Sequence, residues 1–192
     1  MTQSESSTFV SRGGDKLAAV LQHFRIEVGG LTCVDLGSHV GGFVDCLLCR
    51  GASRVYAVDK CYGTLAWKLR RDLRVVPLER TNAMHVVLPE TVDLVTVDVG
   101  WTRQINVMPN VVRMLKPAGE VVTLVKPHYE ANADFLLDGV LDDTLVDGVV
   151  QNVLQQLGHA GWTVRATFPS PVRGHGGNRE VFALLTRTPA PP

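Results

Sequence analysis

Two lysines and two carboxylates, Lys16, Asp98, Lys126 and Glu180, stand far apart in the chain, each at the edge of a stretch that reads as regular structure. Lys126 closes the apolar run Glu120-Val-Val-Thr-Leu-Val, Asp98 closes Thr91-Val-Asp-Leu-Val-Thr-Val, and Glu180 opens the run from Val181 to Thr186. Lys16 begins a helix just after Gly13-Gly14, a pair that reads as flexible and would let the lysine reach across an opening. A lysine ending a buried strand is costly unless it is paired or used. Burial and a second nearby cation weaken a lysine's hold on its proton, so Lys126 with Lys16 beside it has the makings of a general base. Asp98 and Glu180 would then orient the two ammonium groups. Taken singly, each of the four is most often an ordinary ion-pair member, and only their meeting at one place would make a site.

The elements between them have to bring that meeting about. Leu31-Thr-Cys-Val-Asp35-Leu-Gly37-Ser38-His-Val-Gly41-Gly42-Phe43 is a buried strand that closes on an acid and opens into a glycine-rich turn and a helix. Its glycines let backbone approach a ligand closely, and the amides of the following helix point the same way. The spacing is not the G-x-G-x-x-G of dinucleotide enzymes. Arg54-Val-Tyr-Ala-Val-Asp59 is a second apolar run ending in a carboxylate, placed where such sheets hold a ribose diol. Two acids at successive strand ends favour a nucleoside ligand.

Helices are expected over 15–24, 42–50, 64–71, 105–115 and 145–159, and strands over 31–35, 54–58, near Val75, and over 92–97, 120–125, 162–168 and 181–186. This alternation is a doubly wound α/β pattern with a mostly parallel sheet. The last two strands, joined directly by the loop 169–179, must be antiparallel to each other, so the final strand runs against the sheet. Asp35, Asp59, Asp98 and Lys126 then share the carboxyl edge, where open α/β sheets bind ligands, and Glu180 arrives at the same edge on the reversed strand. One domain over 11–188 is expected, with disordered tails over 1–10 and 189–192.

Composition agrees with one compact core: 192 residues, 45% hydrophobic and 20% charged. No stretch is long and apolar enough to span a bilayer and the N-terminus is polar, so the expected location is cytoplasmic, away from membranes. Cys33, Cys46, Cys49 and Cys61 read as reduced thiols, and Cys46-Leu-Leu-Cys49 as helix packing rather than a metal site. Nineteen basic residues balance nineteen acidic ones, without the basic excess typical of a chain that holds RNA unaided. Lys68, Arg70, Arg71, Arg74 and Arg80 cluster locally, either as a solvated face or as a patch for RNA.

The chain resembles the FtsJ-like methyltransferases, and within them the hemolysin-A-like RNA 2′-O-methyltransferases. The resemblance rests on Val10-Ser-Arg-Gly-Gly-Asp-Lys16-Leu, Asp35-Leu-Gly-Ser-His-Val-Gly-Gly-Phe43, Tyr62-Gly-Thr-Leu-Ala-Trp-Lys-Leu-Arg70, Glu79-Arg-Thr-Asn82, Val125-Lys-Pro-His-Tyr-Glu130 and Gly174-His-Gly-Gly-Asn-Arg-Glu180. It implies a Rossmann-like methyltransferase fold, S-adenosyl-L-methionine as cofactor, and a catalytic tetrad of Lys16, Asp98, Lys126 and Glu180. It further implies that Asp35, Gly37 and Ser38, within the turn that includes Gly41, Gly42 and Phe43, line the methionine end of the cofactor. By the same likeness Asp59 takes the ribose, Asn82 or Ala83 lies by the adenine, and Asp98 also faces the cationic cofactor. Methyl transfer from a sulfonium to a hydroxyl is an in-line displacement, so alignment and removal of the hydroxyl proton are the protein's tasks.

The departures fall on the acceptor side. Val99-Gly100-Trp101 stands where the family has serine and phenylalanine, His128-Tyr129 where it has Gln-Phe, and His39-Val40 where small residues are usual. The chain also starts almost at its Ser11-Arg-Gly-Gly motif, with no room for the small N-terminal RNA-binding domain of the resembled proteins. His39, His128 and His175 are candidate acceptor contacts or a second base, with plain loop residues the commoner reading for each. The acceptor is therefore expected to be an RNA ribose hydroxyl, with a small-molecule hydroxyl as the alternative and a non-catalytic scaffold disfavoured by the complete tetrad. A crowded apolar pocket at Trp101 and Tyr129 would favour the small molecule, and an open groove continuous with Arg70, Arg71 and Arg74 would favour RNA. A homo-oligomer or a guiding partner is compatible with either.

Overall fold

The computed structural model describes residues 8–188, apart from the side chain of His175. Most of the expected N-terminal tail and the whole of the C-terminal one thus lie outside the described residues. Seven strands form one sheet: β1 (Thr32–Leu36), β2 (Arg54–Val58), β3 (Val75–Leu78), β4 (Val92–Val97), β5 (Leu115–Val125), β8 (Trp162–Pro169) and β9 (Val181–Arg187). Their order is β3-β2-β1-β4-β5-β9-β8. The β1–β2, β1–β4, β2–β3 and β4–β5 pairs are parallel, and β9 is antiparallel to both β5 and β8. The fold is the expected α/β architecture with a reversed last strand, and that strand inserts between β5 and β8 instead of extending the edge.

Strand parity sorts the side chains between two cores. Val121 and Val125 face one, together with Val95, Val97, Val181, Ala183 and Leu185, while Val122 and Leu124 face the other with Leu94, Phe182 and Leu184. Period-2 alternation does this on a sheet covered on both faces, which is why these strands read as continuous apolar runs. Helices α4 (Gln104–Met114) and α6 (Asp143–His159) cover the first face, and α1 (Arg12–Phe24) and α2 (Gly42–Cys49) the second. On α1, Leu17, Val20 and Leu21 are fully buried at i, i+3 and i+4. Burying each such side chain contributes about 1.5–3 kcal/mol.

The expected flexible joint at Gly13-Gly14 is a correction: both residues lie inside α1. A Cβ on Gly14 would run into the ring of Phe9, so this glycine serves close packing, not motion. Val10 donates its N–H to Asp45 Oδ2 at 2.9 Å, which ties the approach to α1 onto α2. The third helix, α3 (Trp67–Arg70), is shorter than expected because the Ala66 N–H is drawn off to Val40 O at 3.1 Å. Beyond β5 come a single helical turn, α5 (Pro127–Glu130), and a small hairpin, β6 (Leu136–Leu137) with β7 (Val140–Leu141). No described helix is long and apolar enough to cross a membrane.

Candidate active site

The carboxyl edge of the sheet is lined by two adjoining cavities. The smaller, about 290 Å³, is bordered by Lys16, Asp35, Gly37, Ser38, Gly42, Phe43, Asp98 and Gly174 among others. The larger, about 590 Å³, takes in Asp59, Asn82, Ala83, Asp98, Trp101 and Lys126. Gly37, His39 and Asp98 border both, so the two halves meet at the glycine turn and the end of β4.

The four residues of interest come together as two ion pairs. Lys16 Nζ lies 2.6 Å from Glu180 Oε2, with side-chain exposures of 13% and 4%. Lys126 Nζ lies 2.6 Å from Asp98 Oδ1, with 16% and 25%. Four charges this far removed from water persist only because each is matched by a partner. Asp98 is steadied by its own N–H, which donates to Leu36 O at 2.9 Å. Lys126 caps α5, and its ammonium stands 5.9 Å from the centre of the Tyr129 ring.

The turn after β1 packs tightly against the chain that leaves β4. Gly37 has φ +94°, and a Cβ there would lie 2.5 Å from the Asp98 carbonyl oxygen. No other residue holds both that backbone conformation and that approach. Asp35 is fully buried. Its Oδ1 accepts from Thr96 Oγ1 at 2.7 Å, while Oδ2 has no hydrogen-bond partner among the described residues. Burial pushes this carboxyl up to about 7, with Asp98 and Asp59 adding to the effect and the hydrogen bonds from Thr96 and Ser38 opposing it. Both oxygens of Asp59 are engaged by backbone, Oδ2 by the His39 N–H and Oδ1 by the Cys61 N–H, each at 2.7 Å. Asn82 Oδ1 accepts the Met84 N–H at 3.0 Å, and Ala83 is buried beside it.

Two expected members, Gly41 and Glu180, border neither cavity, and Glu180 reaches the smaller one only through Lys16. Gly41 is turned toward Leu65 and Leu69 and serves the turn itself. The Phe43 ring is packed into the core against Phe182, with centroids 6.2 Å apart. Ser11, Arg12, Val172, Arg173 and Gly174 were not singled out as lining residues, although the motifs containing Ser11, Arg12 and Gly174 were. Thr96 was missed too, and a hydroxyl within the buried run Leu94–Val97, two residues before Asp98, was the available signal.

On the acceptor side, Trp101 is 88% exposed in the left-handed backbone region (φ 58°) and packs on Tyr129, centroids 4.9 Å apart. His128 is buried against Tyr129 at 4.1 Å. This is an open aromatic surface, not a crowded pocket. The local basic stretch is largely neutralised: Lys68 pairs with Asp45, Arg70 with Glu79 and Arg74 with Asp72, and Arg80 stacks on Tyr62. It is no continuous cationic groove. Cys46 is buried in α2 and Cys49 exposed, and all four cysteines are free thiols.

The FtsJ-like methyltransferase family model matches residues 9–187, nearly the whole described chain. The chain belongs to the FtsJ-like methyltransferase family. It is 40% identical over 191 residues to the 16S/23S rRNA (cytidine-2′-O)-methyltransferase TlyA of Mycobacterium tuberculosis, covering 96% of this chain and 70% of TlyA. It is 34% identical over 181 residues to Hemolysin A of Brachyspira hyodysenteriae, covering 91% of this chain and 75% of that protein. A solved structure of a hemolysin-type protein from Streptococcus thermophilus superposes with a TM-score of 0.93 at 32% identity, over 98% of this chain and 70% of that one. The protein is accordingly an S-adenosylmethionine-dependent methyltransferase. The residues present suit that cofactor: a buried oxygen on Asp35 left without a hydrogen-bond partner at the border of the smaller cavity, of a kind that suits a cationic group, and a braced carboxylate on Asp59 at the larger one, of a kind that suits a diol.

Proposed function

We propose that the protein methylates the 2′-hydroxyl of a ribose in structured RNA, ribosomal RNA being the foremost candidate. The observation that carries this reading is the pair of partly buried lysine–carboxylate contacts, Lys16–Glu180 and Lys126–Asp98, with Asp98 bordering both cavities. The curated relative from Mycobacterium tuberculosis is named for the same chemistry on rRNA cytidine. S-adenosylmethionine supplies a methyl group made electrophilic by its sulfonium.

The chain's own residues do the rest. Lys126 holds the acceptor hydroxyl and either takes its proton as the neutral amine, becoming an ammonium, or as the ammonium steadies the developing alkoxide, and Asp98 fixes the direction of its amino group. Lys16, held by Glu180, supplies the second positive charge at the oxygen. Asp35, Gly37 and Ser38 contact the methionine end, Asp59 the ribose, and Asn82 with Ala83 the adenine. Trp101 and Tyr129 offer a flat, solvent-facing surface on which a base can stack. The exposed side chains of Arg12 and Lys60, at the rims of the two cavities, suit backbone phosphates.

The openness at Trp101 favours a polymer over a small enclosed acceptor. Incubation with methyl-labelled cofactor and rRNA, followed by digestion to nucleosides and mass spectrometry, tests the proposal. Label in 2′-O-methylnucleosides is the expected result. Label in a base, or only in the small-molecule fraction of a cell extract, would remove RNA 2′-O-methylation as the activity.

A further inference from the structure

Lys126 and Asp98 sit on two different segments, the turn that follows β5 and the loop that follows β4. Their 2.6 Å contact is only as well defined as the spacing of those segments. A second set of hydrogen bonds joins the same two segments about residue 104. The Gln104 N–H, at the start of α4, donates to Glu130 Oε1 at 2.7 Å. The Gln104 side chain is buried, its Oε1 accepting from Thr123 Oγ1 at 2.6 Å and its Nε2 donating to Leu124 O at 3.1 Å.

The far end of the Asp98–Arg103 loop is therefore bound to chain on both sides of Lys126, to Thr123 and Leu124 before it and to Glu130 after it. At the outer end of the loop the Trp101–Tyr129 stack joins the two segments again. Glu130 stands apart from the reacting groups and borders neither cavity. Its carboxyl is held above the ordinary range by burial, against the Gln104 amide and the charge of Arg103. Burying a carboxylate is expensive, and a carboxylate at a helix N-terminus recovers part of that cost.

We infer that Glu130, acting through Gln104, is a positioning residue that sets Lys126 against Asp98. The inference rests on the catalytic reading of Lys126 given above. Removing the bridge leaves the catalytic groups in place but frees their spacing, and a displacement of about 1 Å at a reacting centre costs on the order of 100-fold in rate. Glutamine at position 130 keeps an acceptor of the same shape for the Gln104 N–H, whereas alanine does not.

The test compares wild type, Glu130→Gln and Glu130→Ala in the full chain by two readouts. The first, hydrogen exchange with no acceptor present, probes the bridge without assuming the reaction. Glu130→Ala should speed exchange within 99–104 and 126–130 while β1 and β2 keep their protection, and Glu130→Gln should resemble wild type. The second is methyl transfer to whichever acceptor wild type uses. Glu130→Ala should lower kcat about 100-fold with cofactor Kd within about twofold, and Glu130→Gln should recover kcat to within about fivefold. Unchanged exchange in Glu130→Ala would overturn the bridge itself. Local loosening with full kcat, an equal loss of kcat and cofactor affinity, or a Gln variant as impaired as Ala would overturn the positioning role. Wild type that transfers no methyl to RNA defeats the proposed acceptor instead, and the exchange comparison still decides the bridge.

Discussion

Asp35→Asn isolates the charge of a carboxylate that, alone among the described residues, is fully buried with an oxygen left unbonded. In the unfolded chain its carboxyl titrates near 3.8, and in the folded protein burial raises it to about 7. Between these values the folded state holds a proton that the unfolded state has released. Stability is thus complete below about pH 4, falls as pH rises toward 7, and levels off above it. At about 1.4 kcal/mol per pH unit, that window is worth on the order of 4 kcal/mol. Asparagine keeps an oxygen for Thr96 Oγ1 and has no proton to lose. The difference in unfolding free energy between variant and wild type should therefore change by about 3 kcal/mol between pH 4.5 and 7.5, the part of the window those limits span, whatever constant offset the new amide introduces. Urea denaturation at half-unit pH steps measures it, and the corresponding relative shift in Tm is roughly 10 °C for a chain of this size. A cationic ligand favours the ionised carboxylate, so wild-type cofactor affinity should rise with pH up to about 7 and the variant's should stay flat. Stability curves that run parallel for the two proteins would refute the assignment of a buried, proton-holding Asp35.

The other perturbations act at separate points of the site. Gly37→Ala sets a Cβ 2.5 Å from the Asp98 carbonyl at φ +94° and should destabilise the fold by about 1–3 kcal/mol while weakening cofactor binding at least tenfold, as read by thermal unfolding and calorimetry. Lys16→Ala should cost about 3 kcal/mol because it strands Glu180, and adding Glu180→Ala should return part of that loss; additive costs in the double-mutant cycle would mean the pair is not coupled. Trp101→Ala should raise KM for RNA by roughly tenfold with cofactor Kd unchanged, and an unchanged KM would remove the ring from the acceptor surface.

Much of this arrangement was legible because the chemistry sits at strand ends. Asp35, Asp59, Asp98 and Lys126 each close an apolar run, and parallel topology alone gathers such positions on one edge. The direction of β9 followed from its short connection to β8. Its insertion between β5 and β8 did not, because that pairing is decided by the Val121–Leu185 and Val122–Leu184 contacts, remote in sequence. The strand expected over 120–125 starts earlier in the structure, at Leu115. Pairing of Leu115 with Val92 and a Lys116–Asp93 contact carry the strand back to Leu115 across a register shift. Whether the basic stretch 68–74 is a solvated face or a patch for RNA was open in the sequence, since nothing in its local pattern shows that Asp45 and Glu79 reach it from other elements. Glu130 lay within a motif already singled out, yet only its contact with Gln104 gives it a task.

In the proposed reaction Lys126, held by Asp98, works on the acceptor hydroxyl and not on the cofactor. Lys126→Ala measured side by side for methyl transfer to rRNA and for cofactor Kd tests it most directly. The account predicts a loss of transfer of at least 1,000-fold, within the range known for removing a group that moves a proton in the transition state, with cofactor Kd within about threefold of wild type. Full turnover in the variant, or a loss of transfer explained entirely by lost cofactor binding, would contradict it.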